Sequence, residues 1–489
     1  MVPPLLISVI SSTVLFAALV TPPRVPPPRA IQPPRVFMAA EQPPADTASP
    51  PPAAPPAAPP EKEPVEDEDR WLAAEPVRLV SKSGASADAL DDAMDFDSAV
   101  NRVLVIYTGG TLGMTMQDGS LAPKKGFLQK CIVEMPEVHA ASMPELDLIE
   151  YDPLIDSSNI SPKDWSRLAR QIRDNYYDYD GFVILHGTDT MAYTASALSF
   201  MLEGLGKAVV LTGSMIPLAE VYNDARRNLL ISMVFAAQLE LCEVAIFFDD
   251  RLLRGNRAHK IDSSSLSAFD SPNFPPLATV GATIDAERTA WRAPPTSRLR
   301  VHTNLDASVV CISLAPGFDD SAIVAMIEHA SNLKGLVLSL YGTGNGPAQK
   351  AEFLSTIQLA IDRGILVVAA TQCTRGTVSL DTYEVGCKLL DLGVVSAGDM
   401  TIEACVTKIA YVRAPPQPRA QPVLAPVHIA RSDRAAFCAQ LLGRNVSGER
   451  LRKMMVADLR GELTVRQSST WRELSSLGQT GQIRWKTGL

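Results

Sequence analysis

The stretch GFVILHGTDTMAYTASALSFML, residues 181–202, decides the fold of this chain. Its apolar run 182–185 predicts a buried strand, and its second half has the length and the alanine, methionine and leucine content of a helix. The polar turn HGTDT joins the two elements. Because small ligands bind outside the carboxyl ends of strands in an open parallel sheet, Thr188 and Asp189 in this turn are candidate functional residues.

The alternation of strand and helix continues on both sides of this unit. The predicted strands are 103–107, 208–211, 244–248, 309–314, 335–341 and 365–371, and the predicted helices between them are 225–240, 321–331 and 348–362. Another helix should follow Ser161, which has the sequence of an N-cap with Asp164 as the capping acid. The pattern predicts an α/β protein with a larger N-terminal doubly wound, flavodoxin-like domain at 101–300 and a smaller C-terminal α/β domain at 301–465.

The two ends of the chain differ from this pattern in composition. Residues 1–37 contain an apolar run that suits a targeting leader and is too short to favour a stable membrane span. Residues 38–100 are rich in proline and alanine and then acidic, which predicts a disordered segment. Residues 466–489 form a polar tail. Localisation stays open: cytoplasmic if translation starts at Met38, otherwise directed by a signal or organelle sequence.

Composition excludes several functional classes. A formal net charge of −9 and a pI near 5.3, without a basic patch, argue against nucleic-acid binding. The seven cysteines show no CxxC pair or histidine cluster, so neither a metal site nor a disulfide framework is indicated, and each is expected to be buried. The glycine-rich run 342–347 lacks GxGxxG spacing, and no P-loop is present. No cofactor is expected.

Four further polar segments are candidate site elements. They are TGGT at 108–111, the polar loop 114–126 as a mobile lid, DSSN at 156–159, and the basic loop RGNRAHK at 254–260. Each has an ordinary structural explanation. A threonine in a tight turn often bonds only its own backbone, serines before a helix often serve as caps, and a lysine in a basic loop is usually solvated. Taken one at a time, these motifs leave both interpretations open.

Taken together, the motifs resemble L-asparaginase, most closely the bacterial-type asparaginase I group. The matching segments are YTGGTLGM (107–114), HGTDTM (186–191), TGSMIPL (212–218), RGNRAHK (254–260), SPNFPPL (271–277), YGTGNGP (341–347) and LRGELT (459–464). The resemblance covers roughly residues 101–465. It implies an amidohydrolase that converts L-asparagine and water to L-aspartate and ammonia through an acyl-enzyme.

The resemblance also implies roles for residues at matching positions. Thr111 would be the nucleophile, and Thr188, Asp189 and Lys260 the second catalytic group. A list of substrate-binding residues follows from the same matches: Ser157, Ser158, Gly187, Asp189 and Asn345, the last reaching the site from a neighbouring subunit. The resemblance therefore implies a homo-oligomer, a dimer or tetramer, with no metal ion.

One departure concerns a tyrosine that many family members carry on the loop after TGGT. Here Ser120 and Leu121 lie about where it would fall, and Tyr383 is the candidate to polarise Thr111 instead. The alternatives are a related amidase with a glutaminase or tRNA-amidotransferase-type role, a nucleotide- or flavin-binding protein of doubly wound fold, and a catalytically inactive ligand-binding homologue.

Overall fold

The computed structural model describes residues 75–81, 101–414 and 448–464. The predicted leader 1–37, most of 38–100, the tail 466–489 and Cys438 lie outside the described residues. Among the residues described, no helix combines the length and the apolar character that a membrane crossing requires.

The strands and helices are numbered here in chain order. The strands are Val77–Val80 (β1), Arg102–Tyr107 (β2), Met114–Gln117 (β3), Ser120–Pro123 (β4), Glu145–Glu150 (β5), Gly181–Leu185 (β6), Leu202–Glu203 (β7), Val209–Thr212 (β8), Val244–Phe248 (β9), Arg251–Arg254 (β10), His259–Lys260 (β11), Phe269–Asp270 (β12), Ala278–Val280 (β13), Ile284–Ala286 (β14), Arg300–Val301 (β15), Val309–Ser313 (β16), Gly335–Leu340 (β17), Leu366–Thr371 (β18) and Val395–Ser396 (β19). The helices are Phe127–Glu134 (α1), Pro162–Asp174 (α2), Met191–Met201 (α3), Ala225–Gln238 (α4), Asp320–His329 (α5), Ala351–Asp362 (α6), Glu384–Leu392 (α7), Ile402–Arg413 (α8) and Gly448–Val456 (α9).

The larger sheet runs in the order β1-β5-β2-β6-β8-β9-β10-β13-β14. Five consecutive strands of this sheet, from β5 to β9 in that order, are all parallel. Numbered along the chain, these five strands have the order 2-1-3-4-5, one of the two common doubly wound arrangements. The strands stay parallel, but the order in which the chain adds them changes sides between β2 and β6, the topological switch point. The α/β class predicted from sequence is confirmed, and the two strands at the switch point are those that precede TGGT and HGTDT.

Helices cover both faces of this sheet. Alternate residues of β2 enter two different cores: Leu104 and Ile106 pack with α2 and α3, whereas Val103 and Val105 pack with α1 and α4. All four side chains are fully buried, which explains why β2 reads as a continuous apolar run rather than an alternating one. The capping box at Ser161 and Asp164 forms as predicted and starts α2.

The smaller sheet is parallel throughout, in the order β16-β17-β18-β19. Helices α5, α6 and α7 pack on one face, and α8 and α9 pack on the other. Phe200 of α3 is buried in the same cluster as α8, where it stacks on Tyr411. The two sheets are therefore joined by direct packing of α3 against α8.

Three features differ from the sequence predictions. Within the segment expected to be disordered, Val77–Val80 adds an antiparallel edge strand to β5, and Arg78 pairs with the buried Asp147. The expected lid loop instead forms the β3–β4 hairpin, whose turn residues Asp118 and Gly119 both have positive φ, as a type I′ turn requires. The expectation of buried cysteines holds for Cys405 and is wrong for Cys311 and Cys373, which are exposed.

Candidate active site

The turns after β2 and β6 lie against each other at the carboxyl edge of the large sheet. Both the amide and the hydroxyl of Thr108 donate to the carbonyl oxygen of Leu185, each at 3.0 Å. Gly110 has a φ of 95°, and a Cβ added there would lie 2.5 Å from the Cα of Gly187. No side chain fits between these two turns, so glycine at position 110 is a steric requirement.

Thr111 follows this point of contact directly. It begins a short 3₁₀ turn, Thr111–Gly113, and it is held there because Leu112 is buried in the core beneath the sheet. The side chain of Thr111 is half-buried, and within the described residues its hydroxyl makes no hydrogen bond. A threonine placed at a strand end with an unengaged hydroxyl is available to a ligand at that edge.

Lys260 connects the second group of predicted residues. Its Nζ lies 2.9 Å from Thr188 Oγ1 and 2.6 Å from Asp189 Oδ1. Thr188 is buried, Lys260 is largely shielded, and the Asp189 carboxylate is exposed, so this group is enclosed at one end and open at the other. The lysine ammonium bonds the hydroxyl of Thr188 while the carboxylate balances its charge. This geometry contradicts the solvated-lysine interpretation and brings three predicted site residues together.

His186 fixes the turn that carries Thr188. The ring is fully buried, its Nε2 lies 2.9 Å from Thr194 Oγ1, and its Nδ1 lies 2.7 Å from the carbonyl oxygen of Gly187. Because the carbonyl oxygen of Gly187 can only accept, Nδ1 carries the hydrogen and donates to it. In the neutral ring Nε2 then accepts from the Thr194 hydroxyl, whose oxygen accepts from the Trp165 indole. Burial lowers the pKa of His186 to about 4, so the ring is neutral at pH 7.

The DSSN segment also reaches this edge. Thr190 Oγ1 donates to the carbonyl oxygen of Ser157 at 2.6 Å, and the Ser157 hydroxyl packs so closely on Gly187 that a Cβ there would lie 2.5 Å from it. Asp156 caps the short turn by accepting from the amide of Ser158. Ser157 is buried and Ser158 is exposed. Ser157 and Gly187 are therefore adjacent, and Ser158 lies on the solvent side of the same turn.

Asn345 and Tyr383 lie on the smaller domain. A tight turn closed by hydrogen bonds between Tyr341 and Asn345 presents the asparagine side chain, and the carbonyl oxygen of Thr343 in this turn accepts from the amide of Ser379. Tyr383 is the N-cap residue of α7 and is about half exposed. Within the described residues, the side chains of Asn345 and Tyr383 form no hydrogen bond, and so neither of them contacts the Thr111 hydroxyl in this way. Their proposed roles stay predictions.

The loop that carries Lys260 is anchored by carboxylates of the smaller domain, which the sequence analysis missed. Arg257 is almost completely buried and forms a two-pronged pair with Asp399, at 3.0 and 2.8 Å. The next anchor is His259 Nδ1, which lies 2.7 Å from Glu403 Oε1. These contacts hold Arg257 and His259 in place on either side of Ala258, and they therefore fix the position from which the Lys260 side chain extends. Asp399 precedes α8 and Glu403 lies in its first turn. Their spacing of four residues at a helix start is the only feature of the sequence that marks them, and it does not indicate that they bind the loop at 254–260.

The His259–Glu403 contact predicts a pH effect on stability. The hydrogen bond to Glu403 raises the pKa of His259 above its usual value near 6.5, against the opposing effect of burial. A raised folded-state pKa adds stability that is fully present below about pH 6.5 and is lost as the pH rises through the folded-state pKa. The unfolding midpoint of the protein should therefore exceed that of His259→Gln mainly at acidic pH. Thermal unfolding across pH 5–9 measures this difference, and parallel profiles would contradict it.

Across the residues that the structure describes, no group of three or more histidine, cysteine, aspartate or glutamate side chains is arranged to hold a metal ion. The side chains described at this edge are the hydroxyls of threonine and serine, the ammonium of Lys260 and the carboxylates of Asp189 and Asp156.

Comparisons with known proteins identify the family of this chain. The profile for "Asparaginase, N-terminal" matches residues 102–292, and that for "Glutaminase/Asparaginase C-terminal domain" matches residues 308–421. L-asparaginase 1 of Escherichia coli K12 is 42% identical over 362 residues, which is 74% of this chain and 98% of that protein. L-asparaginase of Dirofilaria immitis is 34% identical over 78% of this chain, and this chain spans 64% of that protein.

A solved structure shows the same similarity to L-asparaginases. L-asparaginase I from Vibrio cholerae superposes with a TM-score of 0.63 and 38% identity, over 75% of this chain and all of that one. The residues that the two profiles match include both glycine turns, the lysine loop and the strands of both sheets except β1. The chain belongs to the asparaginase family.

Proposed function

We propose that this chain hydrolyses the side-chain amide of L-asparagine, giving L-aspartate and ammonia. The observation that carries the proposal is the contact of Lys260 with both Thr188 and Asp189, in a turn that abuts the turn leading to Thr111. Two threonines at adjacent strand ends, one unengaged and one bonded to a lysine, suit a nucleophile and an activating group.

In the first step, the Thr111 hydroxyl oxygen attacks the amide carbon and its proton passes to the departing nitrogen, which leaves as ammonia. The product is an aspartyl ester on Thr111. Backbone amides at the glycine turn would stabilise the oxyanion that forms during attack. A water molecule polarised by Thr188 and its Lys260–Asp189 pair then attacks the ester carbon. The proton of the water passes to the Thr111 oxygen as the ester bond breaks, and aspartate leaves.

Substrate binding follows from the charges of asparagine. Its α-ammonium needs an anion, and Asp189 offers an exposed carboxylate beside Thr188. Its α-carboxylate needs donors, and the hydroxyls of Ser157 and Ser158 lie on the turn packed against Gly187. Because the α-ammonium and the α-carboxylate of asparagine each have a separate partner, the substrate binds in one orientation and its side-chain amide is directed one way.

The smaller domain suggests that the working form is a homo-oligomer. The turn bearing Asn345 holds a side chain that forms no hydrogen bond within the described residues. An asparagine held this way is available to the site of a neighbouring copy, as the resemblance implied. A dimer or tetramer, in which each site is completed by its neighbour, is the assembly we infer.

Ammonia release tests the substrate directly. The purified full chain is incubated with L-asparagine, and separately with L-glutamine, and ammonia is measured by a coupled assay. We expect release from asparagine, with a higher kcat/KM than from glutamine, because the longer amide displaces the carbonyl from Thr111 when both charged ends are held. A higher kcat/KM for glutamine would assign the glutaminase role instead. If neither substrate released ammonia, the proposed amidohydrolase activity would be refuted.

Tyr383→Phe tests the proposed polarising residue. If the Tyr383 hydroxyl of either the same or a neighbouring copy polarises Thr111, kcat should fall by about 10²–10⁴-fold, the usual contribution of general acid–base catalysis. Steady-state kinetics on L-asparagine measures this fall. Tyr177→Phe is the control, since Tyr177 is similarly exposed and lies at the opposite end of the large sheet. Equal kcat for the two variants would remove Tyr383 from the mechanism.

A further inference from the structure

A second polar cavity lies at the amino ends of the large sheet, on the edge opposite to the candidate active site. Its volume is about 70 Å³. Cys242 and Glu243 enter it just before β9, and Gly204 and Leu205 enter it after β7. Ligand pockets for whole organic molecules are roughly 300–1,000 Å³, so this cavity accommodates a small ion or one end of a larger molecule.

Three arginines line the cavity: Arg254, Arg292 and Arg460. The one carboxylate in the lining, Glu243, is almost completely buried and is already engaged. It pairs with Arg254 through both oxygens and also accepts from the backbone amide of Arg292 at 3.1 Å. Arg254 is paired with Glu243, and Arg460 lies 3.7 Å from Glu203 outside the lining, so Arg292 is the arginine of this lining that has no ion pair within the described residues.

The other two arginines have donors to spare. Within the described residues, the side chain of Arg292 forms no hydrogen bond or ion pair. Arg460 Nε is buried without a partner there, and its Nη2 lies 3.7 Å from Glu203, a carboxylate that already accepts from His302. The other end of the Arg460 guanidinium donates to the carbonyl oxygen of Leu459 at 2.9 Å. A buried donor without a partner, such as Arg460 Nε, costs stability, and an anion that accepts from it removes that cost.

The titration of Arg292 agrees with this geometry. Burial lowers the pKa of Arg292, and the positive charge of Arg460 lowers it further. The carboxylates of Glu243 and Asp458 act in the opposite direction on this pKa without reversing the shift.

A larger cavity of about 590 Å³ adjoins the first and shares Arg254 and Arg292 with it. Its walls include Phe274, Pro275 and Trp291, and its volume falls within the range of small-molecule pockets. The same walls carry the carboxylates of Glu287 and Asp458. The pair of cavities therefore offers a cationic end for an oxyanion and a larger compartment of mixed polarity for a molecular body attached to it.

We infer that this pair of cavities is a binding site for a phosphate-type oxyanion, either free or as the terminal group of a phosphorylated small molecule. Arg292 and Arg460 provide forked donors that match phosphate geometry, and Arg254 supports them from its pair with Glu243. The site is separate from Thr111 and Thr188, since it lies at the opposite ends of the strands.

The test uses the full chain and its Arg292→Gln variant. Binding of inorganic phosphate and of phenyl phosphate is measured by calorimetry and by thermal unfolding, with sodium chloride at equal ionic strength as the reference. Because the Arg292 side chain has no partner in the described protein, this variant should fold normally. We expect saturable phosphate binding that raises the unfolding midpoint, and binding weaker by about tenfold or more in Arg292→Gln.

Arg288→Gln is the matched control. Arg288 lies four residues away and packs on Trp291, but it does not line either cavity. It should bind phosphate as the unmodified protein does. Tighter binding of phenyl phosphate than of phosphate assigns the site to a phosphorylated molecule, and equal binding assigns it to the free ion. A phosphate effect no larger than that of chloride, or one that persists in Arg292→Gln, would overturn the inference.

Discussion

Replacing Thr111 by alanine is expected to lower kcat for L-asparagine by about three orders of magnitude or more, as loss of a nucleophile does in other hydrolases. The loss follows from chemistry, because alanine has no oxygen to form the aspartyl ester. Stability should change little, since the Thr111 side chain is half-buried and its hydroxyl bonds nothing within the described residues. Steady-state ammonia release and thermal unfolding together measure the two effects.

Thr111→Ser is the control for this prediction. Serine keeps the hydroxyl and loses one methyl group, so activity should be far above that of Thr111→Ala. If the alanine variant kept most of its activity, or if serine were as inactive as alanine with an unchanged unfolding midpoint, Thr111 would not be the nucleophile.

Breaking the buried pair of Lys408 and Glu462 is expected to be among the most destabilising single changes. Both side chains are completely shielded from solvent, and their charged atoms lie 2.6 Å apart. The lysine also donates to the carbonyl oxygens of Met455 and Ala457. In Lys408→Met the carboxylate stays buried without its cation, and such losses cost about 3–5 kcal/mol. Urea denaturation should show this as a lower midpoint.

The pKa of Glu462 reflects its contact with Lys408. Burial by itself raises the pKa of Glu462, but the charge and hydrogen bond of Lys408, with the backbone amides of Leu459 and Arg460, outweigh burial and lower it. Lys388→Met is the control, because Lys388 pairs with Glu384 on an exposed helix surface, where a pair contributes about 0.3–0.5 kcal/mol. Equal midpoints for the two variants would show that the buried pair does not hold the chain from 448 to 464 in place.

The sequence predicted the parallel core of the fold well because its signal there is local. The runs 103–107 and 182–185 are apolar at every position, and both lie within strands buried on two faces. Strand β1 was missed because four residues after a proline-rich tract carry little local signal, and long-range pairing of Arg78 with Asp147 contributes to holding it in place. The β3–β4 hairpin did have a local signal, because Asp118-Gly119 is a dipeptide typical of hairpin turns. The polar composition of residues 114–126 favoured a loop instead, and the hairpin was not predicted.

The candidate site was predictable only in part, for a related reason. Motif spacing identified Thr188 and Lys260, and the fold brings them into contact although 72 positions separate them. The contacts that aim the lysine loop come from Asp399 and Glu403, which are 142 and 144 positions away from their partners. Nothing near RGNRAHK indicates those carboxylates. The same holds for the three arginines that line the small cavity at the opposite edge, which come together only when distant segments of the chain meet.

Mass spectrometry of the acid-quenched enzyme during turnover of L-asparagine tests the central claim most directly. The protein, and a Thr188→Ala variant in which the water step should be slowed, are quenched, digested and mapped. We predict a mass increase of one aspartyl group, borne as an ester on Thr111, with a larger fraction modified in Thr188→Ala. An ester on Thr188 or another residue, or full turnover with no ester on Thr111 in either protein, would contradict the account.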